Sequence, residues 1–148
     1  MSEIYAALRD YFASAGTFDE HEEDGWVAAP GHGSNGAWLL VGQAYDARDA
    51  AAIYGVVPER VPADRRAAMA ELLTRINFGL ILGNFELDLD DGEIRFKASL
   101  AGGAPTRDEL TPLVVTVHAQ LDRWLPALTA VADGDAPAVT FARQLAPQ

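Results

Sequence analysis

The chain has 148 residues (15.9 kDa), no cysteine, and 22 acidic against 11 basic residues, for a formal net charge of -11 and a pI near 4.5. This length fits one domain, which buries roughly 70% of its unfolded surface and needs no staple. Without cysteine there are no disulfides, thiolate nucleophiles or thiolate metal sites. The charge opposes phosphate backbones and anionic lipid surfaces, so neither nucleic acid nor membrane is an expected partner.

The first helix is marked by Ser2 as N-cap and by Ile4, Leu8, Tyr11, Phe12 and Ala15 on one face, with Gly16 as its stop. Residues 17–23 read as an acidic strand, Asp24-Gly25 as a turn, and residues 26–29 as a possible short returning strand. Residues 30–36 read as loop. Residues 37–45 are apolar on both alternating faces, which predicts a central strand covered on both sides by a helix or a second subunit. Asp46-Ala47-Arg48-Asp49 is a turn, and residues 50–57 form the next strand, bracketed at its exit by Pro58 and Pro62. Pro62 fits N1 of a second helix that runs to about Phe78 and stops at Gly79, with Met69, Leu72, Leu73 and Ile76 as its apolar face.

Residues 84–90 and 93–100 flank Asp91-Gly92, a two-residue type I′ turn signal. That turn sets Leu89 against Ile94, Leu87 against Phe96 and Phe85 against Ala98. On the other face it sets Asp88 against Arg95 and Glu86 against Lys97. Sliding the turn to Asp90-Asp91 sets Asp88 against Glu93, a like-charge pair, so the first register is expected. A long third helix starts at Thr111-Pro112, or one turn earlier at the capping box Thr106-Arg107-Asp108-Glu109. Val114, Val117, Leu121, Trp124, Leu125 and Leu128 share its face. Pro126 removes the hydrogen bond to the Asp122 carbonyl, at a cost of ~3 kcal/mol, and predicts a kink or break. Gly134 is its stop. The expected organisation is one domain over residues 1–135 with a loosely held tail at 136–148, in which Val139, Phe141 and Leu145 are candidates to dock. The order α-β-β-β-α-β-β-α, plus one possible extra strand, predicts an α+β fold with a mainly antiparallel sheet and packed helices.

Motifs that suggest chemistry fail on context. Gly31-His32-Gly33-Ser34-Asn35-Gly36 matches the dinucleotide pattern but precedes a strand rather than a helix, so it reads as a loop. Residues 88–92 resemble a calcium loop, but Leu87 and Leu89 stand where ligands are needed. On a strand, Asp19, His21 and Glu23 share a side and form a possible metal set; a charged edge strand accounts for them better. His118 and Asp122, i and i+4 on the third helix, read as a local side-chain pair. The serines fit no nucleophile motif, and no motif calls for a cofactor or a metal.

The stretches Arg75-Ile76-Asn77-Phe78-Gly79-Leu80, Gly83-Asn84-Phe85-Glu86-Leu87-Asp88 and Asp91-Gly92-Glu93-Ile94-Arg95-Phe96 resemble the YbjN-like domain family, described as bacterial sensory transduction regulators. Val57-Pro58, Val61-Pro62 and Asp122-Arg123-Trp124-Leu125-Pro126 agree, with Trp124 standing where tyrosine is expected. The resemblance spans residues 17–134. It implies a fold similar to type III secretion chaperones, a small cytoplasmic homodimer and no established enzyme activity. The opening residues also lack a signal-peptide pattern, and no apolar run approaches the ~20 residues of a membrane span. The signature residues are Asn77, Phe78, Gly79, Gly83, Asn84, Phe85, Glu86, Asp88, Asp91, Gly92, Arg95, Asp122, Trp124 and Pro126. They are expected to serve architecture or a binding groove: the asparagines hydrogen-bond the connection, and Phe78, Phe85 and Phe96 pack beneath it.

The leading expectation is a non-enzymatic, chaperone-like protein-binding or regulatory domain that takes an extended protein client at a sheet edge or in an apolar groove. The alternative is a small-ligand or metal-ion sensor built on the acidic strand. An enzyme using Asp88 or Glu86 is the least favoured.

Overall fold

Ser2 caps the first helix as its sequence suggests: its Oγ accepts from the Tyr5 amide at 3.0 Å, and α1 runs Glu3–Ala15. The computed structural model describes residues 1–138, 140 and 141. Among these, β1 (Asp19–His21), β2 (Trp26–Gly33), β3 (Gly36–Tyr45) and β4 (Ala50–Val56) form an antiparallel meander. Then come α2 (Arg66–Gly79), β5 (Asn84–Leu87), β6 (Ile94–Ala101) and α3 (Arg107–Ala132). The six strands make one antiparallel sheet in the order β1-β2-β3-β4-β6-β5. The α+β class expected from the sequence is what forms, and the possible extra strand is real.

The acidic strand is shorter than expected. It ends at His21, and Glu22–Asp24 form a 3-10 turn, so Glu23 does not extend the row of Asp19 and His21. Residues 30–36 are not a loop. β2 pairs through to Gly33 opposite Gly36, leaving Ser34-Asn35 as a tight hairpin turn. Pro30 is tolerated there because β1 pairs only with residues 26–28, so β2 is an edge beyond them. The second helix starts later than Pro62, after a 3-10 turn at Ala63–Arg65, and includes Gly79.

The β5–β6 hairpin adopts the register that like-charge repulsion argued against. Leu87 faces Ile94, Glu86 faces Arg95, Phe85 faces Phe96 and Asn84 faces Lys97. A four-residue loop replaces the two-residue turn, closed by the Gly92 amide on the Asp88 carbonyl at 2.8 Å, with Gly92 at φ 83°. Three groups outside the hairpin decide this. The Gly92 carbonyl accepts from the Val61 amide at 2.9 Å. Arg66 donates to the Leu89 and Asp90 carbonyls at 3.2 and 3.0 Å. Arg60 lies between Asp91 and Glu93, its guanidinium paired with both carboxylates. These cations offset the repulsion that a local count treats as decisive.

The capping box at Thr106 and Glu109 starts α3, with Thr106 Oγ1 accepting from the Glu109 amide at 3.2 Å and Glu109 Oε1 from the Thr106 amide at 3.1 Å. Pro112 is therefore inside the helix rather than at N1. The helix also runs unbroken through Pro126. The Asp122 carbonyl that Pro126 leaves without a helical donor accepts from Asn35 Nδ2 at 2.8 Å, and Asp122 Oδ1 accepts from the Asn35 amide at 2.7 Å. The β2–β3 turn thus fills the vacancy in the helix ladder.

All three helices pack on one face of the sheet. Leu8 and Phe12 of α1, Val117 and Leu121 of α3, and Met69, Leu72 and Ile76 of α2 share one core with Val27, Leu40, Ile53, Phe85 and Phe96. Ala138 is buried and Phe141 packs against this core, while Val139 and Leu145 lie outside the described residues. The chain's own helices cover one side of β3. Trp38, Leu40, Gly42 and Ala44 are buried, but Leu39 and Tyr45 are 44% and 40% exposed. Among the described residues no element covers that second face.

The Asn35 side chain has a measurable role. Asn35→Ala is expected to cost about 0.5–1.5 kcal/mol in urea unfolding by removing the side-chain bond to the Asp122 carbonyl. In a Pro126→Ala background the backbone N–H returns, and the cost of Asn35→Ala should shrink well below that. A double-mutant cycle giving simple additivity would sever this coupling.

Candidate functional site

The uncovered sheet face is built by alternation. Residues pointing away from the helices are Trp26, Ala28 and Pro30 on β2, Leu39, Val41, Gln43 and Tyr45 on β3, and Ala52, Tyr54 and Val56 on β4. Ala28 faces Val41, Val41 faces Tyr54, and Leu39 faces Val56, so apolar side chains meet across three strands. Residues 25–45 contain no Asp, Glu, Lys or Arg. Trp26, Leu39, Val41, Tyr54, Val56 and Arg95 line a shallow depression of about 210 Å³ on this face.

The fringe is charged and ordered. Glu86 on β5 accepts from Arg95 Nε at 2.7 Å and from Lys97 Nζ at 2.9 Å. Burial opposes its charge, but hydrogen bonds from Lys97 and Arg95 outweigh burial and hold its carboxyl below the usual range. The Arg95 guanidinium lies over the Tyr54 ring, 4.4 Å from its centre. The Tyr54 and Tyr45 hydroxyls are 2.5 Å apart. Burial, then this hydrogen bond, pushes the Tyr54 hydroxyl up, so it stays neutral at physiological pH. At the opposite fringe His21 stacks on Trp26 with ring centres 3.6 Å apart. The resulting chemistry is apolar contact with polar orientation at the rim.

The sheet edges suit an added strand poorly. Asn77 brackets the free side of β5, its Oδ1 accepting from the Phe85 amide at 2.8 Å and its Nδ2 donating to the Phe85 carbonyl at 3.0 Å. Asn84 Nδ2 also donates to that carbonyl at 3.2 Å. The other edge, β1, is a short, exposed Asp-Glu-His strand.

The signature residues do not converge on one site. Asn77, Gly79, Gly83, Asn84 and Phe85 shape the α2–β5 connection, with Gly83 at φ 78°. Phe85 and Phe96 are buried edge to face, ring centres 4.9 Å apart. Phe78 does not join them: it is 96% exposed, and Ile81 beside it is 92% exposed. Glu86 and Arg95 belong to the fringe of the open face. Asp88, Asp91 and Gly92 shape the hairpin loop, where Asp88 Oδ1 takes the Asp90 amide and Asp91 Oδ1 the Glu93 amide, each at 2.8 Å. Asp122 and Pro126 hold the β2–β3 turn, and Trp124 is buried with its Nε1 donating to Gln120 at 3.1 Å.

His118 and Asp122 are not partnered with each other. His118 Nδ1 accepts from Trp38 Nε1 at 2.9 Å, while Asp122 serves Asn35. Among the described residues no group of three His, Cys, Asp or Glu is placed to hold a metal ion. No helix among them is long and apolar enough to cross a membrane. Sequence reasoning missed Trp26, Leu39, Val41, Tyr45, Tyr54 and Val56 as a surface. The signal for this face is the two-sided apolarity of residues 37–45, a pattern that cover by a helix or a second subunit explains equally well.

An antiparallel sheet with three helices packed on one face defines a small α+β domain. The chain belongs to the YbjN family, described as "Putative bacterial sensory transduction regulator", whose model matches residues 5–130. It is similar to the crystal structure of YbjN from E. coli, a "putative transcription regulator", with a TM-score of 0.63 and 16% identity over 88% of this chain and 92% of that one. It is also similar to a chain of the HopA1-SchA chaperone-effector complex, with a TM-score of 0.50 and 16% identity over 82% of this chain and 92% of that one. A comparison with curated proteins finds no match. The secretion-chaperone-like fold expected from the resemblance is therefore present.

His118 makes the pH response specific. Burial, then the nearby His32, lowers its pKa below the usual histidine value. Between the folded and unfolded values the unfolded chain binds a proton that the folded chain does not, so stability falls as pH drops below about 6.5. Urea midpoints measured from about pH 7.5 to 5.5 should decline, and His118→Gln should flatten part of that decline. Superimposable profiles for the two proteins would remove His118 from the account.

Proposed function

We propose that this chain is a non-enzymatic, chaperone-like regulatory domain, working in the cytoplasm as a homodimer with residues 1–135 as its unit. Its open sheet face holds an extended segment of a protein partner. One observation carries this: all three helices lie on one side, leaving an uncharged apolar face across β2, β3 and β4. A groove-type contact is favoured over strand addition because Asn77 occupies the backbone groups of Phe85. The net charge of -11 favours a protein over a phosphate backbone or an anionic bilayer. The likeness to a chain of a chaperone-effector complex supports the choice of a protein segment. Catalysis finds no support at the two carboxylates considered for it: Glu86 is held ionised by two cations, and Asp88 sits in an exposed turn.

The test is Leu39→Asp combined with Val41→Asp, two changes on the face away from the core. Tagged wild-type chain should retain a stoichiometric protein partner from its native lysate at moderate salt. The double variant, with an unchanged far-ultraviolet spectrum, should lose it. Retention by the folded double variant would disprove the role of this face.

A further inference from the structure

The acidic stretch after α1 is part of a concave site. Two 3-10 turns, Glu22–Asp24 after β1 and Asp46–Arg48 after β3, meet the start of α1. Between them lies a cavity of about 490 Å³, walled by Ser2 and Tyr5 and by the carboxylates of Glu22, Glu23 and Asp46. It shares no lining residue with the depression on the open sheet face.

Three carboxylates around one cavity call for compensating charge. Glu22 lies 3.6 Å from the Met1 ammonium, which also lines the cavity. Glu23 and Asp46 pair with no cation among the described residues. Arg9 acts on Tyr5 from the same helix but is held by Asp10 and Glu20, at 3.5 and 3.7 Å. The carboxylates thus outnumber the ammonium by two, and the start of α1 offsets only about half a charge. A single metal ion does not meet this need, because among the described residues no three acidic or histidine side chains are placed to hold one.

Tyr5 points to the same vacancy. It is 2% exposed, and its hydroxyl is buried with no hydrogen-bond partner among the described residues. Burying a hydroxyl without a partner is unfavourable. Burial, then the charges of Glu20 and Glu22, raise its pKa, which sets the hydroxyl on the carboxylate side of the helix and keeps its proton in place. Such a hydroxyl can accept an N–H from a ligand as well as donate.

We propose that this cavity binds an aliphatic diamine or polyamine, its ammonium groups on Glu22, Glu23 and Asp46 and one N–H donated to the Tyr5 hydroxyl. The charges of such a cation are spread along a chain, as the carboxylates are spread around the cavity. Its methylenes suit the carbon atoms that Met1 and Tyr5 contribute to the wall. Ammonium–carboxylate hydrogen bonds are charge-assisted, and the Met1 ammonium already shows that chemistry at Glu22. The amine and the protein client use different residues, so either can fail without the other.

The experiment is equilibrium dialysis of labelled spermidine against the full chain at about 0.15 M salt. Saturable uptake of one spermidine per chain is expected, with butylamine, a single charge, binding at least about tenfold more weakly. Tyr5→Phe should weaken spermidine binding about tenfold while leaving the urea midpoint unchanged or higher, because the deleted hydroxyl has no partner in the free chain. Glu23→Gln with Asp46→Asn should weaken binding at least about thirtyfold. The remote pair Glu59→Gln with Asp64→Asn removes the same charge and should weaken it less than about threefold. Equal losses from the two pairs, or displacement of spermidine by Mg²⁺ at equal charge, reveal a diffuse counterion atmosphere and overturn the site. Full binding by Tyr5→Phe overturns it too, because the carboxylates are then only a charged surface. A lysyl-lysine dipeptide that binds more tightly than spermidine overturns the polyamine in favour of a basic protein segment, and absence of uptake overturns the proposal outright.

Discussion

Gly55 of β4 lies where a Cβ would come within 2.2 Å of Leu121 and 2.8 Å of Val117 on α3. The longest helix of the fold can rest on the middle of the sheet only because this position has no side chain. That approach sets the rest of the layer. With α3 seated against β4 and β6, α1 takes the β2–β3 side and α2 the β5 side, so every helix is spent on one face. The opposite face then keeps its apolar residues without a cover from the described chain. Core formation and surface availability are two consequences of the same packing.

The β2–β3 hairpin is fixed at two points by α3. Its tip supplies Asn35, which bonds both the carbonyl and the carboxylate of Asp122. Its body supplies Trp38, whose indole N–H reaches His118 one helical turn away. A proline in a helix is ordinarily a local defect with one carbonyl unpaired. Here that carbonyl becomes the anchor for a strand turn far away in sequence. The anchoring orients the uncharged strands whose outer residues form the candidate binding face.

The two exposed apolar surfaces differ in construction. The sheet face is broad and shallow, with an ion-paired fringe of Glu86, Arg95 and Lys97 and a Tyr45–Tyr54 hydroxyl contact at its rim. The end of α2 and the connection beyond it expose Phe78 and Ile81, with the Glu71–Arg75 ion pair one to two turns back on the same helix.

Much of this was legible in the residues. The caps at Ser2 and Thr106, the apolar faces of the helices, the existence of the β5–β6 hairpin and the family signature all depend on neighbours within a turn or a strand, and composition and spacing record such neighbours directly. The register of β5–β6 was not legible, because Val61, Arg60 and Arg66 outweighed the repulsion between Asp88 and Glu93. Nor was the exposure of Phe78, which alternation and hydrophobicity alone assign to the core. The sequence determined which segments are helices and strands and that the chain carries more apolar strand surface than one face can use. Only the tertiary structure decided which face stays open, because that depends on where three helices, distant in sequence, find room against the same sheet.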